Sequence, residues 1–455
     1  MNKLAKRAWF ALALATILTI GLAVIVVKYF VDSPNWVTFQ SAAGVYTNHT
    51  IDGGKIYDRS GALLLDNSHG RTYPDDSTLR RATLHLLGDR DGYIPNYLLR
   101  EYSDRMVGFD RFNGTYRAGS GSGEMRLTVS AAAQKAALDA LGGRKGAVGV
   151  YNYKTGDILC MVSTPTYDPN DVPQSFDGEQ YEGVFVNRFL HSAYPPGSTF
   201  KVVTASAALD LLPDIETRTF HCDGSAMVGA ETVICNRAHG DISFGEALAQ
   251  SCNVAFAQIT DEIGAQRMES YVRSLGITES LRFDGFVTEK GHYDLSDATK
   301  FEAAWSGVGQ YTDQINPCQY MMLMGAIGGG GKAALPRLVE RVIFNGKTVY
   351  HPSVKMSDRL FSPDTAQKLT EYMHDAAQTV YGGSWTFCGK YGCAKSGTAQ
   401  VGGGKAPNAM FAGFLKDDSY PLAFFVVVEN SGGGTEVCTP IVQQVLSVCI
   451  SAMDA

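Results

Sequence analysis

Residues 194–212 read YPPGSTFKVVTASAALDLL. Pro195 and Pro196 hold the residues before them out of helical geometry, so a helix is predicted to start only after Gly197 and to run from Ser198 to about Leu212. Phe200, Val202, Val203, Ala205, Ala207, Ala208 and Leu211 leave that helix little room for a polar face. A helix apolar all round belongs in the middle of a domain rather than on its surface. Ser198 and Lys201 stand three positions apart, on one helix face, where hydroxyl and amine meet. A serine is a poor nucleophile until a base takes its proton. A lysine is that base only when neutral, and burial together with the positive end of the helix dipole lowers its pKa. By itself Ser-x-x-Lys also fits an N-cap serine followed by an ordinary helical lysine. A lysine this close to a buried helix, however, needs a reason.

Two further motifs lie downstream. Ser251-Cys252-Asn253 places a hydroxyl and an amide two residues apart, in or beside a helix predicted over 244–259. The hydroxyl can relay a proton, and the amide can orient the lysine and hold a substrate amide. Lys395-Ser396-Gly397-Thr398 falls in a strand-like run. Its lysine and hydroxyls suit a substrate carboxylate, its glycine lets another backbone approach, and its edge suits a peptide added as an extra strand. Backbone N–H groups of this strand and of Ser198 would make an oxyanion hole, each donor worth about a hundred- to a thousandfold in rate. Both motifs have decoys. Ser33-Pro34-Asn35 repeats the second pattern, and Lys154-Thr155-Gly156 repeats the third in a predicted hairpin turn, where it reads as turn chemistry.

Around the motifs, the texture changes near residue 124. A strand is expected at 126–129, a helix at 131–141, and a hairpin from the β-rich runs 146–151 and 157–162. The C-terminal third carries strand-like runs at 394–401, 410–415 and 422–429, then a helix at 442–451. Residues 31–123 are polar and rich in Gly, Tyr, Asp and Arg, and read as a small pedestal domain. The glycine clusters 328–331 and 402–404 read as turns, since neither sits between a strand and a helix as a phosphate loop does.

Composition bounds the rest. The 455 residues are 45% hydrophobic, enough for a large core. A net charge of −7 argues against nucleic acid as a partner. Lys3, Lys6 and Arg7 precede an uncharged run from Ala8 to Val27 that Lys28 closes. That is a bilayer-spanning length without a small-x-small cleavage site after it, so an uncleaved anchor is expected, N-terminus cytoplasmic and the remainder outside. Nine cysteines in such a compartment permit disulfides, with Cys222/Cys235 and Cys388/Cys393 as near pairs. No Cys/His group shows zinc-site spacing, and neither a metal nor a cofactor is expected.

The ordered set Ser-x-x-Lys, Ser-x-Asn, Lys-Ser/Thr-Gly is the signature of penicillin-binding proteins and serine β-lactamases. The chain resembles a class B penicillin-binding protein, a monofunctional D,D-transpeptidase of the penicillin-binding protein A-like type, from about Gly53 onward. Lys55-Ile56-Tyr57-Asp58-Arg59 is similar to the family's N-terminal segment, with Gly53 where an arginine is usual. Asn187-Arg188 and 194–203 match the approach to the nucleophile, whereas Asn408-Ala409-Met410-Phe411 departs from a usual His-Ala-Trp-Phe. The resemblance implies an α+β fold, an antiparallel sheet flanked by helices, divided into an anchor (1–30), a pedestal (31–123) and a transpeptidase domain (124–455). It implies Ser198 as nucleophile toward D-Ala-D-Ala stem peptides, Lys201 as base, and Ser251 and Asn253 as proton-transfer and positioning groups. Lys395, Ser396, Gly397 and Thr398 would form the carboxylate-binding strand, with the N–H groups of Ser198 and Thr398 on the oxyanion. It also implies β-lactam acylation, lipid-linked precursor as substrate and, since no glycosyltransferase domain is apparent, a SEDS-type polymerase partner. A serine β-lactamase and a D,D-carboxypeptidase are the enzymatic rivals. A one-shot β-lactam or muropeptide sensor is the non-enzymatic one, although few residues precede Ala8 to carry a signal.

Overall fold

The computed structural model describes residues 2–32, 36–37, 46–47, 50–51, 53–68, 70–107, 109–110, 115–117, 123–381 and 391–454. Ser33-Pro34-Asn35 and Cys388 lie outside these residues.

The centre is a five-stranded antiparallel sheet, in the order Ile158–Thr164, Gly146–Asn152, Leu422–Val428, Asn408–Leu415, Gly392–Ala399. Most antiparallel sheets leave one face to water and alternate apolar with polar residues. Here the four strands other than 392–399 are buried at every position. Both faces are covered. Val148, Val150, Phe424 and Val426 pack on one side with the helices Ala131–Leu141 and Gly434–Asp454. Tyr151, Phe414, Phe425 and Val427 pack on the other with the helix Pro317–Gly328. The two-residue alternation is intact, but both of its faces point into core.

The stretch 194–212 lies on that second side. A 3₁₀ turn, Gly197–Phe200, leads into an α-helix, Lys201–Leu211, whose residues 201–208 are all buried. Its approach is pinned to the sheet. Buried Arg188 donates from Nε to Glu429 Oε1 at 2.8 Å, and the Tyr194 hydroxyl donates to the same oxygen at 2.9 Å. Glu429 directly follows the strand Leu422–Val428, so two side chains orient the nucleophile turn against the sheet.

The helix predicted over 244–259 is instead two helices, Phe244–Ala249 and Asn253–Ile263. The break falls at Ser251, held at φ 60°. Left-handed φ is costly for a residue with a Cβ, and such strain gathers at functional sites. Cys252 caps the second helix through its sulfur, which accepts from Ala255 N–H. The C-terminal helix starts at Gly434, earlier than expected, because it absorbs Pro440 in its interior. Its apolar length would suit a membrane span, but it packs Cys438, Ile441, Val442, Val445 and Leu446 into the core. The N-terminal helix Asn2–Asp32 differs: Lys3–Val31 is long and apolar enough to cross a membrane, and none of that stretch is buried against the protein. It fits a membrane anchor.

A second sheet joins three distant stretches, in the order Lys347–Tyr350, Val339–Phe344, Gly123–Leu127, Lys55–Tyr57, Leu63–Asp66. Residues 55–57 and 124–126 pair in parallel there. Lys154-Thr155-Gly156 closes the hairpin between the first two strands of the central sheet. Asn152 Oδ1 accepts from the N–H groups of Lys154 and Thr155, and Gly156 takes φ 83°.

Candidate active site

Ser198 sits in the 3₁₀ turn and Lys201 opens the α-helix behind it, which places both at the positive end of the helical segment. Lys201 is fully buried, and its Nζ lies 3.0 Å from Ser198 Oγ. The same nitrogen lies 2.8 Å from the Ser251 carbonyl oxygen, 3.0 Å from Ser251 Oγ and 2.7 Å from Asn253 Oδ1. Two of these four partners, the carbonyl and the amide oxygen, can only accept. A neutral amine has two N–H groups and one lone pair. Satisfying the two obligate acceptors spends both N–H groups, and the lone pair is left for a hydroxyl proton. Burial holds the Lys201 pKa well below its ordinary value, and the amine of Lys395 pushes it the same way. Cys235 and Cys252 oppose that shift. The pocket therefore favours the form of lysine that can deprotonate Ser198.

Lys395 arrives from the opposite wall, on the edge strand Gly392–Ala399. It is 1% exposed, and its Nζ lies 3.0 Å from Ser251 Oγ and 3.0 Å from Ser396 O. Burial lowers its pKa to about 7. Ser251 Oγ thus stands 3.0 Å from each of two lysine amines. Its strained backbone is what puts the hydroxyl between them. Such a hydroxyl is a short relay from one amine to the other.

The strand and the nucleophile turn nearly touch. A Cβ on Gly397 would lie 2.8 Å from Thr199 Cγ2 and 3.0 Å from Pro196 O. Gly197, at φ 52°, would place one 2.9 Å from Thr398 O. Any side chain at either position would wedge the two walls apart. Ser198, Ser251, Asn253 and Ser396 are half-buried and Thr398 is exposed, so solvent reaches the hydroxyls while the two amines beside them are buried.

All three sequence motifs therefore meet in one cleft, whereas Lys154 of the decoy stays exposed and pairs with Asp418 at 2.6 Å. Thr398 Oγ1 accepts from Gly434 N–H at 3.3 Å, tying the strand to the C-terminal helix. Sequence reasoning missed Tyr381. Its buried hydroxyl lies 3.0 Å from Ser396 Oγ and accepts from Ser396 N–H at 3.0 Å. No pattern flags it: a lone tyrosine just past the helix Pro363–Thr379 carries no periodic signal.

The cysteine expectations need correction. Cys222 and Cys235 are both free thiols, and so is Cys393. A Cys388/Cys393 bridge involves a residue outside those described. The sequence shows no zinc-site spacing, yet the fold gathers a Cys/His group. Cys222, Cys235, His239 and Cys252 converge, their ligand atoms all within 4.8 Å of one another. They are brought together by two hairpins and a helix cap, which no short sequence window displays.

The family described as "Penicillin binding protein transpeptidase domain" matches residues 146–447. The chain is 29% identical over 347 residues to the peptidoglycan D,D-transpeptidase PbpA of Mycolicibacterium smegmatis, covering 68% of each protein. It is 28% identical to stage V sporulation protein D of Bacillus subtilis, over 65% of this chain and 47% of that one. The ceftriaxone acyl-enzyme of penicillin-binding protein A from M. tuberculosis superposes with a TM-score of 0.75 at 25% identity, over 87% of this chain and 98% of that one. The D,D-transpeptidase domain from Eggerthella lenta superposes with a TM-score of 0.73 at 26% identity, over 88% and 98%.

Proposed function

Because the chain belongs to the penicillin-binding protein transpeptidase family, we propose that it is a peptidoglycan D,D-transpeptidase working through an acyl-enzyme on Ser198. The observation that carries the reading is the Lys201 amine, buried, shifted toward neutrality and 3.0 Å from Ser198 Oγ.

Ser198 Oγ gives its proton to Lys201 Nζ and attacks the carbonyl of the penultimate D-Ala of a stem peptide. The N–H groups of Ser198 and Thr398 hold the developing oxyanion. The proton passes through Ser251 Oγ to the leaving D-Ala nitrogen, and the C–N bond breaks to leave the ester on Ser198. Lys395, Ser396 and Thr398 hold the substrate's terminal carboxylate by charge-assisted hydrogen bonds, and Gly397 keeps the strand close to the turn. Asn253 fixes Lys201 and the substrate amide. The amine of a second stem peptide then attacks the ester carbonyl, the C–O bond to Ser198 breaks, the amine's proton returns to Ser198 Oγ by way of Lys201, and the crosslinking amide forms. A β-lactam enters by the same first step and stays on the serine. The M. tuberculosis neighbour, a ceftriaxone acyl-enzyme, supports this.

The helix over residues 2–32 anchors the chain as a single pass, with Lys3, Lys6 and Arg7 on the cytoplasmic side and the catalytic cleft outside. Residues 1–30, 31–123 and 124–455 serve as anchor, pedestal and transpeptidase domain. A separate SEDS-type polymerase in the same membrane builds the glycan strands from the lipid-linked precursor, and this chain crosslinks their stem peptides.

Fluorescent penicillin tests the nucleophile. The wild type is labelled covalently, and Ser198→Ala stays folded by circular dichroism without label; retained labelling would refute Ser198. Purified lipid-linked substrate with a polymerase then separates crosslinked dimer from the tetrapeptide that water would release. Turnover of benzylpenicillin within seconds would mark a β-lactamase instead.

A further inference from the structure

The cleft's second motif has a neighbour that the transpeptidase chemistry does not use. Residues 219–243 form two small antiparallel pairs, Thr219–Cys222 with Gly240–Ser243 and Ser225–Val228 with Glu231–Ile234. The first pair buries Phe220 and Ile242 in the main core, whereas the second has little core of its own. Val228 and Val233 pack against Ala257 and Ala304, while Met227 and Ile234 remain 65% and 67% exposed. Two-stranded pairs of this kind are marginal in water without a further crosslink.

Cys222, Cys235, His239 and Cys252 meet where these pairs join the rest of the domain. Cys222 ends one strand, Cys235 follows another, His239 precedes a third, and Cys252 caps the helix Asn253–Ile263. All four ligand atoms lie within 4.8 Å of one another, and two of the separations match the edges of a tetrahedral site. Cys235 Sγ and Cys252 Sγ are 3.9 Å apart, and Cys235 Sγ is 3.6 Å from His239 Nδ1. Metal–sulfur bonds of about 2.3 Å and metal–nitrogen bonds of about 2.0–2.1 Å at the tetrahedral angle give edges of about 3.8 and 3.6 Å. A disulfide would bring two sulfurs to about 2.05 Å and leave the third thiol unpaired. The second imidazole nitrogen, His239 Nε2, is buried without a partner among the described residues. Two of the sulfurs already accept backbone N–H groups, Cys235 from Asn253 at 3.2 Å and Cys252 from Ala255 at 3.4 Å.

We propose that these four side chains bind one structural Zn²⁺ ion, which fixes the Ser251–Asn253 motif in the cleft. Three thiolates and one imidazole are the soft, tetrahedral donor set that selects zinc, and four protein ligands leave no open position for catalysis. On binding, three thiols release their protons to solvent and no electron moves. The ion's position relative to the cleft gives it a consequence. Cys252 lies between Ser251 and Asn253 in the chain. Asn253 donates from its backbone to the ligand Cys235 and from Nδ2 to Ile234 O at 2.9 Å, while its Oδ1 holds Lys201 at 2.7 Å. The base is thus oriented by an amide that is itself fixed to the metal-bound hairpin.

The test uses the full chain purified in detergent under reducing conditions without added metal. Elemental analysis is expected to find about one zinc per chain, and Cys222→Ser and His239→Ala to lose it. Replacing the ion with Co²⁺ should give the intense visible absorption of a tetrahedral thiolate site. Stripping zinc with a strong chelator should lower the penicillin acylation rate at least tenfold, and zinc should restore it. Metal-free wild type, or a two-hydrogen mass deficit marking a disulfide among the three cysteines, would overturn the site. Full acylation by stripped protein would overturn the positioning role. The metal reading is independent of catalysis, so its failure would leave the Ser198 assignment intact.

Discussion

Two regions of this protein carry the same pattern, Lys-Ser/Thr-Gly, and share none of its physics. Lys154-Thr155-Gly156 closes a hairpin: the Lys154 side chain is 49% exposed and pairs with Asp418 in solvent. Lys395-Ser396-Gly397 runs along a sheet edge: Lys395 is 1% exposed, its pKa is lowered to about 7, and its amine faces Ser251. An exposed ion pair is a weak interaction, whereas a buried amine is a strained one that stays only because something needs it. The difference teaches that a short motif acquires meaning from where the sheet places it.

The sharpest way to break the contrast is to truncate each lysine. Lys395→Ala should lower the second-order rate of penicillin acylation by about ten- to a hundredfold, the worth of a charge-assisted hydrogen bond to the ligand carboxylate. Lys154→Ala should leave it within about twofold. Equal losses would mean that the two motifs had been wrongly distinguished.

Stability should run the other way. Unfolded, Lys395 titrates at the ordinary 10.5; folded, it titrates at about 7. Between those values the unfolded chain holds more protons, so the folded state gains stability as pH rises from about 7 to 10.5, and below 7 the cost is fully present. Lys395→Met should therefore stabilise the protein at neutral pH by about 1–4 kcal/mol and flatten that rise, measured by denaturant unfolding across pH. The same change at Lys154 should do neither.

The glycines give the smallest contrast. Gly156→Ala meets Leu335 O at 2.2 Å from a φ of 83° and should cost about 1–3 kcal/mol of stability, with acylation by the folded protein unchanged. Gly397→Ala meets Thr199 and Pro196 instead. It should slow acylation several-fold with a smaller loss of stability. Thermal melts beside labelling rates distinguish the two.

Much of the site was legible because its chemistry is local. Ser198 and Lys201 share a turn, the apolar run behind them announces burial, and Lys395-Ser396-Gly397-Thr398 follows the other two motifs in order along the chain. What escaped was non-local. Tyr381 reaches Ser396 only because the helix Pro363–Thr379 ends beside the edge strand. The break at Ser251 runs against the helical composition around it, since the strain is compensated by contacts to two lysines from elsewhere in the chain. The four-ligand cluster spreads over residues 222–252 and becomes a set only when two hairpins fold.

The sequence alone determined the nucleophile's helix, the order of the motifs and the membrane-length segment, because each follows from periodicity or reach along the chain. Tertiary structure alone decided which lysine-glycine motif faces Ser198, which way Ser251 points, and that three cysteines and a histidine face one another. Burial, pKa and coordination geometry depend on groups far apart in the chain, and only the packed sheet brings those groups within reach.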